Sequence, residues 1–138
     1  MINIEIKAKC SNHEIIRNKL KQRNAYYKGI DHQVDTYFKV NSGRLKLREG
    51  DIEYGLIFYD REEKKGPKQS NIIICKLDRN SLIKEILTQA LGILVVVDKK
   101  REIYFIDNVK FHLDNVKSLG TFVEIEAIDN DVKIEKNN

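Results

Sequence analysis

The chain has 138 residues, a formal charge of +4 and a pI near 9.0, with 41% hydrophobic and 33% charged residues. That is enough for one globular domain with a core and is not the composition of a disordered chain. The longest apolar run, Ile93 to Val97, is far too short to span a bilayer and no apolar signal block opens the sequence, so a cytoplasmic location without a membrane partner is expected.

Ile2 to Cys10 alternates, Ile4, Ile6 and Ala8 against Glu5, Lys7 and Lys9, which predicts a strand. Ser11-Asn12-His13-Glu14 reads as a capping box with Ser11 at the cap, opening a helix to about Arg23 on the stripe Ile15, Ile16 and Leu20. Tyr26 to Ile30 has no clear period, and His32 reads as a loop residue. Gln33 to Val40 alternates again, and Asn41-Ser42-Gly43 signals a hairpin. The next strand, Gly43 to Glu49, alternates without a fault: Arg44, Lys46 and Arg48 on one face, Leu45 and Leu47 on the other. A turn around Gly50-Asp51 precedes a strand from Tyr54 to Arg61.

Glu62 to Gln69, with Gly66 and Pro67, reads as a mobile loop whose Lys64, Lys65 and Lys68 form a solvated charge run. A β-branched strand from Asn71 to Leu77 follows. Asp78 to Gly92 is a helix on Leu82, Ile83, Ile86, Leu87, Ala90 and Leu91, closed by Gly92. Leu94 to Ile106 is one long strand, or two with a bend. Val109 to Val116 and Phe122 to Ile128 are the last strands, and Asp129 onward is a polar, frayed tail. Cys10 and Cys75 fall on apolar strand positions without metal-ligand spacing, which predicts buried free thiols.

These elements make a single α+β domain of eight antiparallel-looking strands and two helices, without a Rossmann fingerprint or P-loop. One set of strand faces collects Glu5, Lys7, Lys9, Arg44, Lys46, Arg48, Arg61, Lys76, Lys99, Arg101, Lys110, Asp114, Glu124 and Glu126. The bland reading is an ordinary sheet with its charged side in water. Two short helices, however, cannot cover the apolar faces of eight strands, so the sheet must curl, close or pair with a second copy as a homodimer. The charges are also sorted, with cations on the central strands and acids on the first and last. A polyphosphate held with a divalent ion needs that arrangement: Lys and Arg for phosphate oxygens, carboxylates for metal.

At this point the residues resemble a family. Asn3-Ile4-Glu5-Ile6-Lys7 is similar to the ExExK signature of the CYTH domains, the triphosphate tunnel metalloenzymes. Asp35-Thr36-Tyr37-Phe38, Gly43 to Glu49, Tyr59-Asp60-Arg61 with Gly66 to Ser70, Lys99-Lys100-Arg101, His112 to Val116 and Leu119 to Glu126 extend the likeness in order and spacing. They resemble the class IV adenylate cyclase-like branch over nearly the whole chain.

The resemblance implies a closed eight-stranded antiparallel barrel with a charged tunnel. It implies hydrolysis of inorganic or organic triphosphates (tripolyphosphate, thiamine triphosphate, RNA 5′-triphosphates), or cyclisation of ATP, with Mg²⁺ or Mn²⁺. Carried over, Lys7, Arg44, Lys46, Arg48, Arg61, Lys76, Lys99 and Arg101 hold the triphosphate, and Glu5, Asp114, Glu124 and Glu126 hold metal. Glu5, Lys7 and Glu126 are the expected catalytic set. Asn3 stands where the signature has its first glutamate, which implies an uncharged ligand and weaker metal binding.

Hydrolysis of the terminal phosphate is the first expectation. Cyclisation of ATP to cyclic AMP and pyrophosphate is the alternative, and a non-catalytic polyphosphate- or RNA-binding barrel is the rival from another class. Nucleic acid is a less favoured partner than a triphosphate-bearing small molecule. His112 is read as hydrogen-bonded within the charged lumen, and Tyr37 and Tyr59 as inward-facing packing residues.

Overall fold

The structure, a computed structural model, describes residues 2–61 and 67–129. Its elements are β1 (Ile2–Lys9), α1 (His13–Gln22), β2 (Tyr26–Phe38), β3 (Arg44–Glu49), β4 (Tyr54–Arg61), β5 (Lys68–Lys76), α2 (Ile83–Leu91), β6 (Ile93–Ile106), β7 (Val109–Val116) and β8 (Gly120–Asp129). The eight strands close in the order β1-β5-β4-β3-β2-β6-β7-β8, every neighbouring pair antiparallel. This is the closed antiparallel α+β barrel expected from the sequence.

The barrel is charged inside and apolar outside. Facing pairs on the inner surface include Asp35 with Arg48, Arg101 with Asp114, Lys7 with Glu124 and Glu5 with Glu126. The apolar core therefore lies between the outer sheet surface and the helices. Helix α1 is tied to β6 by Arg17, whose Nε and Nη2 donate to Glu102 at 2.8 and 2.6 Å, and to β8 by His13 on the Phe122 carbonyl. Leu20 of α1 and Leu113 of β7 are buried there. Helix α2 lies against β2 and β3, where Phe38 and Leu47 are buried and Lys84 pairs with Glu49. Burying side chains of this size contributes about 1.5–3 kcal/mol each.

Several sequence expectations change. The cap of α1 is Asn12 rather than Ser11: its side chain accepts from the Glu14 amide at 3.0 Å. An Asx cap satisfies the first-turn donor from one residue later. Strand β2 begins at Tyr26, not Gln33. A register shift between Tyr27 and Gly29 resets the face parity, which is why the stretch shows no period. His32 consequently sits mid-strand and pairs with Asp98 at 2.8 Å. Helix α2 is shorter than Asp78 to Gly92 and starts at Ile83, whose amide is met by the Ser81 hydroxyl. Strand β5 begins at Lys68, inside the expected loop, and ends at Lys76. Both thiols are free but not buried: Cys75 is exposed on the outer face of β5, and Cys10, just past the end of β1, is half-buried. Residues 62–66, with Lys64 and Lys65, and most of the expected tail lie outside the described residues.

Candidate active site

The barrel lumen encloses a cavity of about 550 Å³. Eight cationic side chains face it (Lys7, Lys28, Lys46, Arg48, Lys76, Lys99, Arg101 and Lys110) against four acidic ones (Glu5, Glu53, Glu124 and Glu126). Strand alternation aims most of them inward, and Glu53 comes from the turn between β3 and β4. Tyr37 and Tyr59 also line the cavity, at the parity expected, with the Lys46 ammonium 5.3 Å from each ring centre.

Two buried ion networks fix the cations. In the first, Asp35 accepts from Arg48 Nε at 2.9 Å and Nη2 at 2.8 Å and from Lys99 Nζ at 3.0 Å, with Lys46 Nζ at 3.5 Å. Arg48 Nη1 reaches on to Glu53, which also pairs with Lys110 across the lumen. In the second, Arg101 forks onto Asp114, with Nε and Nη2 both at 2.8 Å, and Nη2 also donates to Glu124 at 3.2 Å. His112 Nδ1 lies 2.9 Å from the same Glu124 oxygen. Because Glu124 is ionised, Nδ1 carries the proton and donates, and His112 is indeed hydrogen-bonded within the charged lumen.

These environments bias protonation. Burial alone would raise Asp35 and Glu53, but Arg48, Lys46 and Lys99 hold the first, and Lys110 and Arg48 the second, well below the carboxylate range. Glu124 and Asp114 are lowered against burial by His112 and Arg101. Burial, with the charges of Arg101 and Arg48, lowers Lys99 to about 7 despite Asp35. Burial and Arg48 lower Lys46. Burial and Arg101 push His112 down to about 4, so it is neutral.

Of the residues expected to hold a triphosphate, Lys7, Lys46, Arg48, Lys76, Lys99 and Arg101 face one cavity. Arg44 does not: it is exposed at the start of β3, its guanidinium on the Gly43 carbonyl. Arg61 ends β4, and its side chain lies outside the described residues. The four expected metal carboxylates are not gathered into one cluster. Both Asp114 oxygens are taken by Arg101, and Glu124 serves Arg101 and His112. Among the described residues no three His, Cys, Asp or Glu side chains form a ready metal cage. Glu5 and Glu126 stand opposite each other in the β1–β8 register, and both line the cavity. Two facing carboxylates fit the hard-cation mode in which substrate oxygens and water complete the shell. Asn3, buried, donates Nδ2 to Glu126 Oε2 at 2.6 Å, so it orients that carboxylate.

Sequence reasoning missed five inner residues, one of them Lys28, which lies at the Tyr27–Gly29 register shift. Asp35 carried the signal, since it shares the inward parity of Tyr37, and its presence shows that the signs are less sorted than the strand faces suggest. Gln33 shared that parity too. Asp31 and Glu53 carried none, because a bulge and a turn hide their direction. Asp31, fully buried, accepts from the amides of Asp51, Ile52 and Glu53 at 2.6, 2.8 and 3.0 Å, which places the Glu53 side chain in the lumen.

The structure is thus a closed barrel with fixed cations inside and apolar residues outside. The chain belongs to the CYTH domain family, whose model matches residues 1–136. It is 26% identical to the "putative adenylate cyclase" MJ0240 of Methanocaldococcus jannaschii, over 96% of this chain and 80% of that one. Among solved structures it is similar to the PH1012 protein of Pyrococcus horikoshii OT3, at 26% identity and a TM-score of 0.75 over 94% of this chain and 80% of that chain. The "putative adenylyl cyclase" HpAC1 from Hippeastrum, described as having a dominant triphosphatase activity, shares the fold at 16% identity and a TM-score of 0.60, with 94% and 80% coverage. No helix among the described residues is long and apolar enough to cross a membrane.

Proposed function

We propose that this protein hydrolyses the terminal phosphate of a triphosphate-bearing substrate held in the lumen, with Mg²⁺ or Mn²⁺. The observation that carries the reading is the convergence of Lys46, Arg48, Lys99 and Arg101 from β3 and β6 on one cavity, with Glu5 and Glu126 on another wall of it. Phosphoryl transfer is chiefly a matter of positioning and charge stabilisation. Arg48 and Arg101, each locked bidentately onto an aspartate, are preorganised donors for phosphate oxygens and need no rearrangement when charge develops. Lys46 and Lys99 share Asp35 and can swing a donor to substrate while Arg48 keeps that carboxylate neutralised. Glu5 and Glu126 would hold the divalent ion, which supplies charge neutralisation and Lewis acidity when bound. Asn3 fixes the Glu126 rotamer through its amide.

The second reading, cyclisation of ATP, rests on the name of the Methanocaldococcus relative. Incubation with tripolyphosphate and with ATP, each with Mg²⁺ or Mn²⁺, separates the two. Release of orthophosphate is the expected outcome. Cyclic AMP with pyrophosphate supports the alternative, and binding without turnover under either metal leaves only a non-catalytic phosphate-binding barrel. Glu126→Gln is expected to lower kcat about a hundredfold with little change in KM. Lys46→Met should instead raise KM about tenfold, the loss of one charge-assisted hydrogen bond. Equal, small effects from both would remove the site assignment.

A further inference from the structure

We propose that the β4–β5 wall of the lumen is an apolar subsite, so that the substrate is a triphosphate monoester with an aliphatic body and not a bare tripolyphosphate. This substrate class rests on the hydrolysis proposed above and narrows it. The lumen is not charged on every wall. On β3, β6 and β8 the residues that line it include Lys46 and Arg48, Lys99 and Arg101, Glu124 and Glu126. On β4 and β5 the same alternation turns Ile57, Tyr59, Ile72 and Ile74 inward.

These four side chains form one tile. Ile57 pairs with Ile74 and Tyr59 with Ile72 across the β4–β5 register, so the two pairs follow each other along the strands. On the other side of β4, Lys46 stands opposite Ile57 and Arg48 opposite Gly55, so the tile abuts the cations directly. A triphosphate held by Lys46 and Arg48 can thus lay its ester group on the isoleucines.

Packing does not account for the tile. Ile57 and Ile72 are half-buried and Ile74 is 49% exposed, so their methyl groups face the cavity without filling it. Strand β5 also breaks the alternation that β3 keeps, since Ile72, Ile73 and Ile74 make it apolar on both faces. A bare polyanion has no use for such a wall, because its oxygens need donors or water on every side. The cavity of about 550 Å³ is of the size that takes drug-sized organic ligands, roughly 300–1,000 Å³. Isoleucine offers no hydrogen-bond donor or acceptor, so the tile holds a hydrocarbon and cannot read the edge of a nucleobase. Ile72 and Ile74 lie about 7 Å apart along the strand, the length of a chain of about six carbons.

Calorimetric titration with methyl triphosphate, hexyl triphosphate and ATP, in EDTA to hold off turnover, tests this. Each added methylene should tighten binding about two- to threefold, so the hexyl ester should bind about a hundredfold more tightly than the methyl ester, and more tightly than ATP. Ile74→Asn should lower the hexyl-to-methyl ratio about tenfold, and a ratio taken within one variant does not depend on how much of it folds. Orthophosphate release with Mg²⁺ or Mn²⁺ is then followed on the same esters, as water adds to the terminal phosphorus and the organic diphosphate leaves. Preferential binding of the hexyl ester without release under either metal keeps the apolar subsite and removes the hydrolytic reading. Release from both esters at equal affinity keeps that reading and overturns the subsite. Tighter binding of ATP than of the hexyl ester, or a ratio that Ile74→Asn leaves unchanged, overturns it as well.

Discussion

Lys99 shows how the lumen treats its own cations. Its ammonium is buried 3.0 Å from Asp35, yet burial and the neighbouring Arg101 and Arg48 bring its pKa to about 7. One carboxylate is shared by three cations, so Asp35 cannot keep all of them charged. A bound polyanion restores the missing negative charge and raises the Lys99 pKa. Between pH 7 and that raised value, binding of tripolyphosphate therefore takes up a proton. Calorimetric titration in two buffers of different ionisation enthalpy should show this uptake at pH 8, and Lys99→Arg, charged throughout, should abolish it. Asp35 is the complementary case. Asp35→Ala leaves buried Arg48 without its bidentate partner, with Glu53 alone remaining, and is expected to cost about 3–5 kcal/mol in urea denaturation, partly restored by sulfate.

The same dependence on buried acids operates at the level of elements, where the β3–β4 turn is built around Asp31. Three successive amides, of Asp51, Ile52 and Glu53, donate to one buried carboxylate, and Gly50 leaves the room it needs. A Cβ on Gly50 would meet the Glu53 carbonyl at 2.5 Å and the Asp31 oxygens at 2.7 and 2.9 Å. Asp31→Ala should destabilise the fold by about 3 kcal/mol, since charge-assisted bonds to buried donors are each worth about 1.5–3 kcal/mol. Hydrogen exchange should show loss of protection at residues 51 to 53 first, with Glu53 released from Arg48 and Lys110. None of this was readable beforehand. The strands were legible because strict alternation survives in Arg44 to Glu49 or Val109 to Val116, where cations or acids face a lumen and Leu or Val face outward. Legibility ended where the chain breaks its own period: at the Tyr27–Gly29 shift, which hid Asp31, and at the turn that aims Glu53. The ligand assignments of Asp114 and Arg44 rested on face parity and family position. Parity gives direction only, and cannot tell that Arg101 takes both Asp114 oxygens or that Arg44 lies past the cavity's end.

Over the whole molecule, a barrel filled with ion networks ties its stability to pH and to anions. His112 is neutral in the fold, with a pKa of about 4 against an ordinary 6.5, so between these values the unfolded chain binds a proton that the folded one refuses. Stability falls as pH drops through that window, by about 3 kcal/mol in all. Asp35, Glu53, Asp114 and Glu124 are held below the ordinary carboxylate range. Their contribution is complete above that range and is lost as pH falls further, with the same sign. Lys99 acts at the other end: its pKa is about 7 folded and 10.5 unfolded, so raising the pH between them adds stability. The melting temperature should therefore climb from pH 4 into the alkaline range instead of peaking near neutrality. Anion binding to the folded lumen should raise it further at every pH by linkage, and most below pH 7, where Lys99 is charged. Thermal melts from pH 4 to 10, with and without sulfate, check the profile. His112→Gln should flatten only the acidic limb and Lys99→Met only the alkaline one. A symmetric profile unmoved by either change would mean that the lumen networks do not govern stability.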